Sequence, residues 1–254
     1  MRLAVVGKGG AGKSVIAATL ARLLARRGRR VLALDSDPLP GLAISLGATA
    51  PAEPPLNAAV ERDDKNRWRF IPGVGPVRAV QRYATDAPDG VRLLQIGKAT
   101  PEGMGPVMGA NNAFYMTIHR LDRAASFRDW DIVGDLPAGP RQAAFDWAPY
   151  AERFLLVVEP TWQSMLTARR IKRIALAANP EVHVSLVVNK SSGEEDARRV
   201  EEFLDTPVVA VVPAAEGVRS AERAGAALLD HAPESPAVRA IERLVERLET
   251  GSID

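Results

Sequence analysis

The chain has 254 residues, of which 46% are hydrophobic and 25% charged. That composition is close to the globular average and excludes wholesale disorder. Lys plus Arg number 33 and Asp plus Glu 31, a net charge of +2, too weak a bias to predict a nucleic-acid or anionic-membrane partner. Cysteine is absent, which excludes disulfides, thiolate zinc sites, iron–sulfur clusters held by this chain and cysteine nucleophiles.

Near the start, the apolar run Leu3–Val6 ends at Gly7, too short for a secretory signal. No run of about 18 apolar residues follows that could span a membrane, so a cytoplasmic protein is expected. Leu3–Val6 reads instead as a first strand, followed by a helix at Lys13–Arg27 and a second strand at Arg30–Leu34. From about Thr49 to Asp89 the pattern breaks: Pro51, Pro54, Pro55, Pro72, Pro76 and Pro88 punctuate it, and an irregular insertion is expected, with a short strand near Trp68–Ile71. Strands at Val91–Ile96, Trp130–Val133, Phe154–Val158, Val182–Val188 and Val208–Val212 then interleave with helices at Asn112–Ala125, Gln163–Ala178, Glu194–Leu204, Val218–Leu229 and Pro236–Leu248. Several strands are apolar at successive positions, the signature of strands covered on both faces. The order predicts a doubly wound α/β domain, a mostly parallel sheet flanked by helices, spanning the whole chain. In the last helix Val238, Ile241, Leu244, Val245 and Leu248 form one stripe opposite mixed Arg and Glu, as in a helix packed on its own domain.

The chemistry begins at Gly7-Lys8-Gly9-Gly10-Ala11-Gly12-Lys13-Ser14, which fits the phosphate-loop pattern Gly-x4-Gly-Lys-Ser/Thr between a strand and a helix. The glycines let successive N–H groups turn into one concavity, and the helix N-terminus adds partial positive charge. Lys13 would reach the β- and γ-phosphates and Ser14 Oγ would ligate Mg²⁺. Two carboxylate motifs follow at strand ends, where α/β sheets bind ligands: Asp35-Ser36-Asp37-Pro38, and Gly134-Asp135-Leu136-Pro137-Ala138-Gly139. Each is weak alone; behind a phosphate loop they complete a nucleotide site. His119, His183 and His231 are scattered and suggest no metal or catalytic cluster.

Lys8, five residues before Lys13, makes the loop resemble the deviant Walker A motif of the MinD/ParA family of P-loop ATPases. That resemblance implies Mg-dependent hydrolysis of ATP to ADP by a homodimer that forms around ATP. It implies that Lys8 reaches across to the partner's phosphates, where positive charge stabilises phosphoryl transfer. Gly9, Gly10, Ala11 and Gly12 would line the phosphates. Asp37, in the family's switch I, would orient the attacking water, and Asp35 would support the loop and the Mg²⁺ shell. Asp135, in switch II, would hold Mg²⁺ through water, and Gly139 would offer an N–H to the γ-phosphate; Leu136-Pro137 stiffens this loop relative to the family. Asn189 would recognise adenine, since an amide donates and accepts at once, and Pro213 would complete the base pocket.

Within the family, the segments Val91–Lys98, Glu102–Gly105, Asn111–Phe114 and Val157–Thr161 resemble the CooC-type branch, which assists nickel insertion into carbon monoxide dehydrogenase. That branch carries Cys-x-Cys in its central region; here the stretch reads Gly105-Pro106-Val107-Met108-Gly109. Without thiolates the soft four-sulfur site cannot form, and Met108 is expected to pack. Nickel binding is therefore not carried over. Two roles compete: a switch serving maturation or assembly of a client protein, and a positioning or partition ATPase that docks on DNA or a membrane surface. Arg169, Arg170, Lys172 and Arg173 on one predicted helix keep the second in play, against the plainer reading of a solvated face.

Overall fold

The computed structural model describes residues 1–37, 41–49, 51, 53–98, 105–121, 123–139 and 146–251. Expectations placed on Pro38 and on Glu102–Met104 lie outside them. The strands are β1 (Arg2–Gly7), β2 (Val31–Asp35), β3 (Val60–Arg62), β4 (Trp68–Phe70), β5 (Thr85–Asp86), β6 (Arg92–Gln95), β7 (Asp131–Asp135), β8 (Arg153–Val158), β9 (His183–Ser191) and β10 (Val208–Pro213). The helices are α1 (Lys13–Arg26), α2 (Gly41–Leu46), α3 (Pro76–Tyr83), α4 (Gly105–Leu121), α5 (Trp162–Ala178), α6 (Glu194–Leu204), α7 (Glu216–Ala224), α8 (Leu228–His231) and α9 (Pro236–Thr250).

Eight strands form one sheet in the order β10-β9-β8-β1-β7-β2-β6-β5. All its pairings are parallel except β5 with β6. β1 has neighbours on both sides, so the loop that leaves it opens in the middle of the rim formed by the strands' C-terminal ends. The unbroken apolar runs are explained by two cores. Leu3, Val5, Val31, Ala33 and Val157 point to one face, under α1, α2 and α9; Ala4, Val6, Leu32, Leu34 and Leu156 point to the other, under α4, α5 and α6. Most of the expected stripe of α9 is buried: Val238, Ile241, Leu244 and Val245 are each at most 1% exposed, and Leu248 packs partly buried at its end.

The proline-rich stretch is more regular than its composition suggests. A 3₁₀ turn at Pro55–Ala59 leads into the antiparallel hairpin β3–β4, then α3, then β5. Pro55, Pro76 and Pro88 each open a helical turn, where a missing N–H costs nothing and the fixed φ favours the helix. Leu56, Ala59 and Val80 join the core beneath α4. Other departures are local. α4 starts at Gly105 rather than Asn112, so Gly105–Gly109 is the first turns of a helix. Met108 is 49% exposed on it and does not pack in the core as expected. The single helix expected at Val218–Leu229 is two, because Gly225 ends α7 in a left-handed conformation at φ 60°.

Candidate nucleotide site

The loop between β1 and α1 is shaped by close approaches. A Cβ at Gly7 would lie 2.4 Å from the Val157 carbonyl oxygen, and one at Gly12, where φ is +90°, 2.3 Å from Asn189 Nδ2; a larger residue fits at neither place. Gly10 has φ +79° and open space on its Cβ side. The loop closes on itself through Ala11 N–H, which donates to the Lys8 carbonyl at 3.2 Å. The last residues of β9 tie it from outside. Asn189 Nδ2 donates to the Ala11 carbonyl at 2.7 Å, and Lys190 Nζ donates to the Gly10 carbonyl at 2.7 Å.

Lys13 is 9% exposed and its Nζ donates to the Lys8 carbonyl at 3.4 Å. Burial lowers its pKa, while the charges of Asp135 and Asp37 oppose the fall. Asp135 ends β7 and is 3% exposed. Burial pushes its carboxyl up to about 6, against a hydrogen bond from Ser14 and the charge of Lys13. Its Oδ1 is buried without a hydrogen-bond partner. Asp35 lies beside Asp135 in the β2–β7 register and is 1% exposed. Its Oδ1 accepts from Asp37 N–H at 3.1 Å and its carboxylate accepts from Leu42 N–H, so it holds the backbone at Asp37 and at Leu42. Burial, with the charge of Asp135, drives its pKa well above the usual carboxylate range, and Oδ2 is also unpartnered.

The sheet therefore brings together the residues that the sequence holds apart: Lys13, Ser14, Asp35, Asp37 and Asp135 lie in one electrostatic neighbourhood. Gly139 joins them through its N–H, which donates to the Gly7 carbonyl at 3.1 Å, with φ +92°. Lys8 is partly exposed on the same loop. Asn189 and Pro213 line a cavity of about 280 Å³ beside the loop, with Gly12, Val15, Val212 and Val218. Its size and largely apolar wall suit a purine.

Two buried carboxylate oxygens without partners are costly unless something binds them. A divalent cation fits that demand. Among the described residues no group of three or more His, Cys, Asp and Glu side chains is arranged to hold a metal alone. Mg²⁺ would thus lean on Ser14, Asp135, water and phosphate oxygens, its usual mode.

Sequence reasoning missed Ser36, whose hydroxyl donates to the Asp135 carbonyl at 2.9 Å and links the two carboxylate strands. It also missed Gln95, beside Asp35 in the β2–β6 register, 2% exposed, with Oε1 unpartnered. Lys190 was visible next to Asn189, but its tie to Gly10 needs the fold. The basic cluster on α5 is not a free cationic face. Lys172 Nζ donates to the carbonyls of Leu204 and Asp205, each at 2.9 Å, and to Thr206 Oγ1 at 2.6 Å. The Arg169 guanidinium lies 4.8 Å from the centre of the Phe203 ring. Lys172 and Arg169 thus serve the α5–α6 contact, while Arg170 and Arg173 are exposed, which weakens the feature that favoured DNA. Among the described residues no helix is long and apolar enough to cross a membrane.

Comparison with known proteins gives the same picture. The CbiA family, described as the CobQ/CobB/MinD/ParA nucleotide-binding domain, matches residues 3–228. An uncharacterised ATP-binding protein of Methanocaldococcus jannaschii is 30% identical over 239 residues, covering 89% of this chain and 90% of its own. The carbon monoxide dehydrogenase accessory protein CooC of Rhodospirillum rubrum is 27% identical over 246 residues, covering 92% and 91%. Among solved structures, a ParA family ATPase from Chlorobium tepidum superposes with a TM-score of 0.74 at 18% identity, covering 97% of this chain and 98% of that one. The septum site-determining protein MinD of Pyrococcus horikoshii, complexed with Mg-ADP, gives 0.67 at 20% identity, covering 98% and 96%. By its fold, its loop and these relatives, the chain belongs to the CobQ/CobB/MinD/ParA nucleotide-binding family.

Proposed function

We propose that the protein is a Mg-dependent ATPase that closes as a homodimer around ATP and serves the maturation or assembly of a client protein. The observation that carries this reading is the meeting of Lys13, Ser14 and the Asp135 carboxylate, whose Oδ1 is buried without a partner, at the mouth of a glycine loop. Lys13 leaves its weak contact with the Lys8 carbonyl to neutralise the β- and γ-phosphates. Gly9, Gly10 and Gly12 turn N–H groups toward them, while the Ala11 N–H keeps the loop closed on the Lys8 carbonyl. Ser14 and Asp135 would hold Mg²⁺, with Asp35 behind them, and when bound the ion neutralises charge developing on the phosphates. Asp37 orients water for attack on the γ-phosphorus. Full proton abstraction is not needed, because positioning and charge stabilisation dominate phosphoryl transfer. Lys8 acts on the twin subunit's phosphates. Asn189 and Pro213 hold adenine; with Nδ2 given to Ala11, Asn189 keeps Oδ1 to accept from the base's amino group. Gly139 follows the γ-phosphate and releases when it leaves.

The similarity to CooC supports a client role in metalloenzyme maturation. The chain has no cysteine to carry the metal itself, so the client or another factor would. The test is Asp37→Ala with MgATP in sedimentation velocity. A stable nucleotide-bound dimer with phosphate release slowed at least about tenfold is expected, since orienting the water is worth that much or more. Wild-type turnover by this variant would remove Asp37 from the mechanism. Affinity capture with the trapped dimer would then identify the client.

A further inference from the structure

Lys190 and Glu159, to which the proposed mechanism assigns no role, brace the phosphate loop from outside. Lys190 Nζ donates to the Gly10 carbonyl at 2.7 Å and is paired with Glu159 Oε1 at 2.6 Å. The Glu159 side chain is 16% exposed and sits at the end of β8. Its backbone is set by the start of α5: Glu159 N–H donates to Ser164 Oγ at 3.0 Å, and Thr161 N–H donates to the Glu159 carbonyl at 2.7 Å. Lys190 itself has φ 58°, in the left-handed region that a long side chain rarely adopts. Such a backbone persists only where surroundings impose it, and it clusters at working sites. It places Asn189 and Lys190, successive residues of β9, on successive carbonyls of the loop, Ala11 and Gly10.

A trans peptide sets its N–H opposite its C=O. Fixing the Gly10 carbonyl outward therefore fixes the Ala11 N–H inward, where it donates to the Lys8 carbonyl and closes the loop, and fixing the Ala11 carbonyl likewise sets the Gly12 N–H. We infer that Lys190, oriented by Glu159, is a positioning residue of the phosphate loop: it holds the Lys8–Ala11 turn closed, and with it the loop's concave shape, before nucleotide arrives. The inference rests on the nucleotide reading above and assigns a role to two residues that reading leaves idle; Lys190 also lines the cavity assigned to the base, so adenosine serves as the comparison for MgADP. An exposed lysine pair is worth little by itself; here the ammonium also makes a charge-assisted bond to a backbone oxygen and spares the loop an ordering cost on binding.

The test uses the full chain with Lys190→Asn, which tolerates the left-handed backbone and removes the ammonium, with Lys190→Arg and Glu159→Gln beside it. Two readouts are taken. Binding of MgADP should weaken on the order of tenfold in Lys190→Asn, with binding of adenosine unchanged and Lys190→Arg recovering most of the loss. Amide hydrogen exchange at Ala11 and Gly12 in nucleotide-free protein should quicken in Lys190→Asn, and Glu159→Gln should add little on top of it. Unchanged exchange together with wild-type MgADP affinity would overturn the inference, as would an equal loss for MgADP and adenosine, which would place Lys190 at the base. If exchange quickens but the wild-type chain binds no MgADP, the brace stands and the nucleotide reading fails.

Discussion

Gly134 precedes Asp135 at the end of β7, and its substitution offers a sharp test of how that strand is built. A Cβ there would lie 1.7 Å from the hydroxyl of Tyr150 and 2.9 Å from its ring carbon Cζ. Tyr150 is 3% exposed, in the core beneath β7. Ordinary van der Waals contact begins near 3.4 Å, so Gly134→Ala demands roughly 1.7 Å of movement from a packed ring. Overpacking of that kind costs about 3 kcal/mol, a large share of the stability of a domain. Removing the hydroxyl leaves a shortfall of only about 0.5 Å, so adding Tyr150→Phe to Gly134→Ala should recover about 2 kcal/mol, with Tyr150→Phe alone costing about 1 kcal/mol. Urea unfolding of the wild type, both single variants and the double variant measures the cycle. The same four proteins titrated with MgADP should show affinity falling in Gly134→Ala, because Asp135 moves with its neighbour, and returning in the double variant. Wild-type stability for Gly134→Ala, or no recovery on adding Tyr150→Phe, would refute the packing argument.

Lys8→Ala should bind MgADP nearly as the wild type does but lose most ATP-dependent dimerisation and turnover; sedimentation with a non-hydrolysable ATP analogue reads this, and a normal dimer contradicts trans action. Arg22, 3% exposed, donates from Nη1 and Nη2 to the two Asp230 oxygens at 2.7 Å each, from Nε to Asp89 at 2.6 Å, and to the Leu46 carbonyl at 3.3 Å. Arg22→Met should cost roughly 2 kcal/mol in urea unfolding, less than for a wholly buried pair because both carboxylates reach water; no loss would show the knot to be dispensable. Asp135 has a folded pKa raised by burial to about 6. Its contribution to stability is therefore full below the unfolded value near 4 and is lost as pH rises through about 6, on the order of 3 kcal/mol in nucleotide-free, chelated protein. Asp135→Asn should flatten that limb of the stability profile, and an unchanged slope would mean the carboxylate is not held against its charge.

The sheet was legible because both its faces are covered: Val5, Ala33 and Val157 on one side and Val6, Leu34 and Leu156 on the other leave uninterrupted apolar runs. The phosphate loop was legible because Gly12 must adopt φ +90° and Lys13-Ser14 must begin a helix. What escaped was of two kinds. Prolines were read as breaks, yet Pro55, Pro76 and Pro88 start turns, and the sequence does not say which role a proline takes when no periodicity follows. Contacts distant along the chain were invisible: Lys190 meets Gly10 across 180 positions, and Gly134 is small for the sake of Tyr150. The basic run on α5 was visible as charge, but only packing shows Lys172 spent on the end of α6.

The claim on which the rest depends is that the loop from Gly7 to Ser14 grips nucleotide phosphates through Lys13. Isothermal titration of the nucleotide-free chain with MgADP and MgATP, repeated on Lys13→Ala, tests it directly. Saturable binding to the wild type and a loss of at least about a hundredfold in the variant are predicted, the scale expected when a buried ammonium on phosphate is removed. Equal affinity in the two proteins, or no heat with either nucleotide in the wild type, would contradict it.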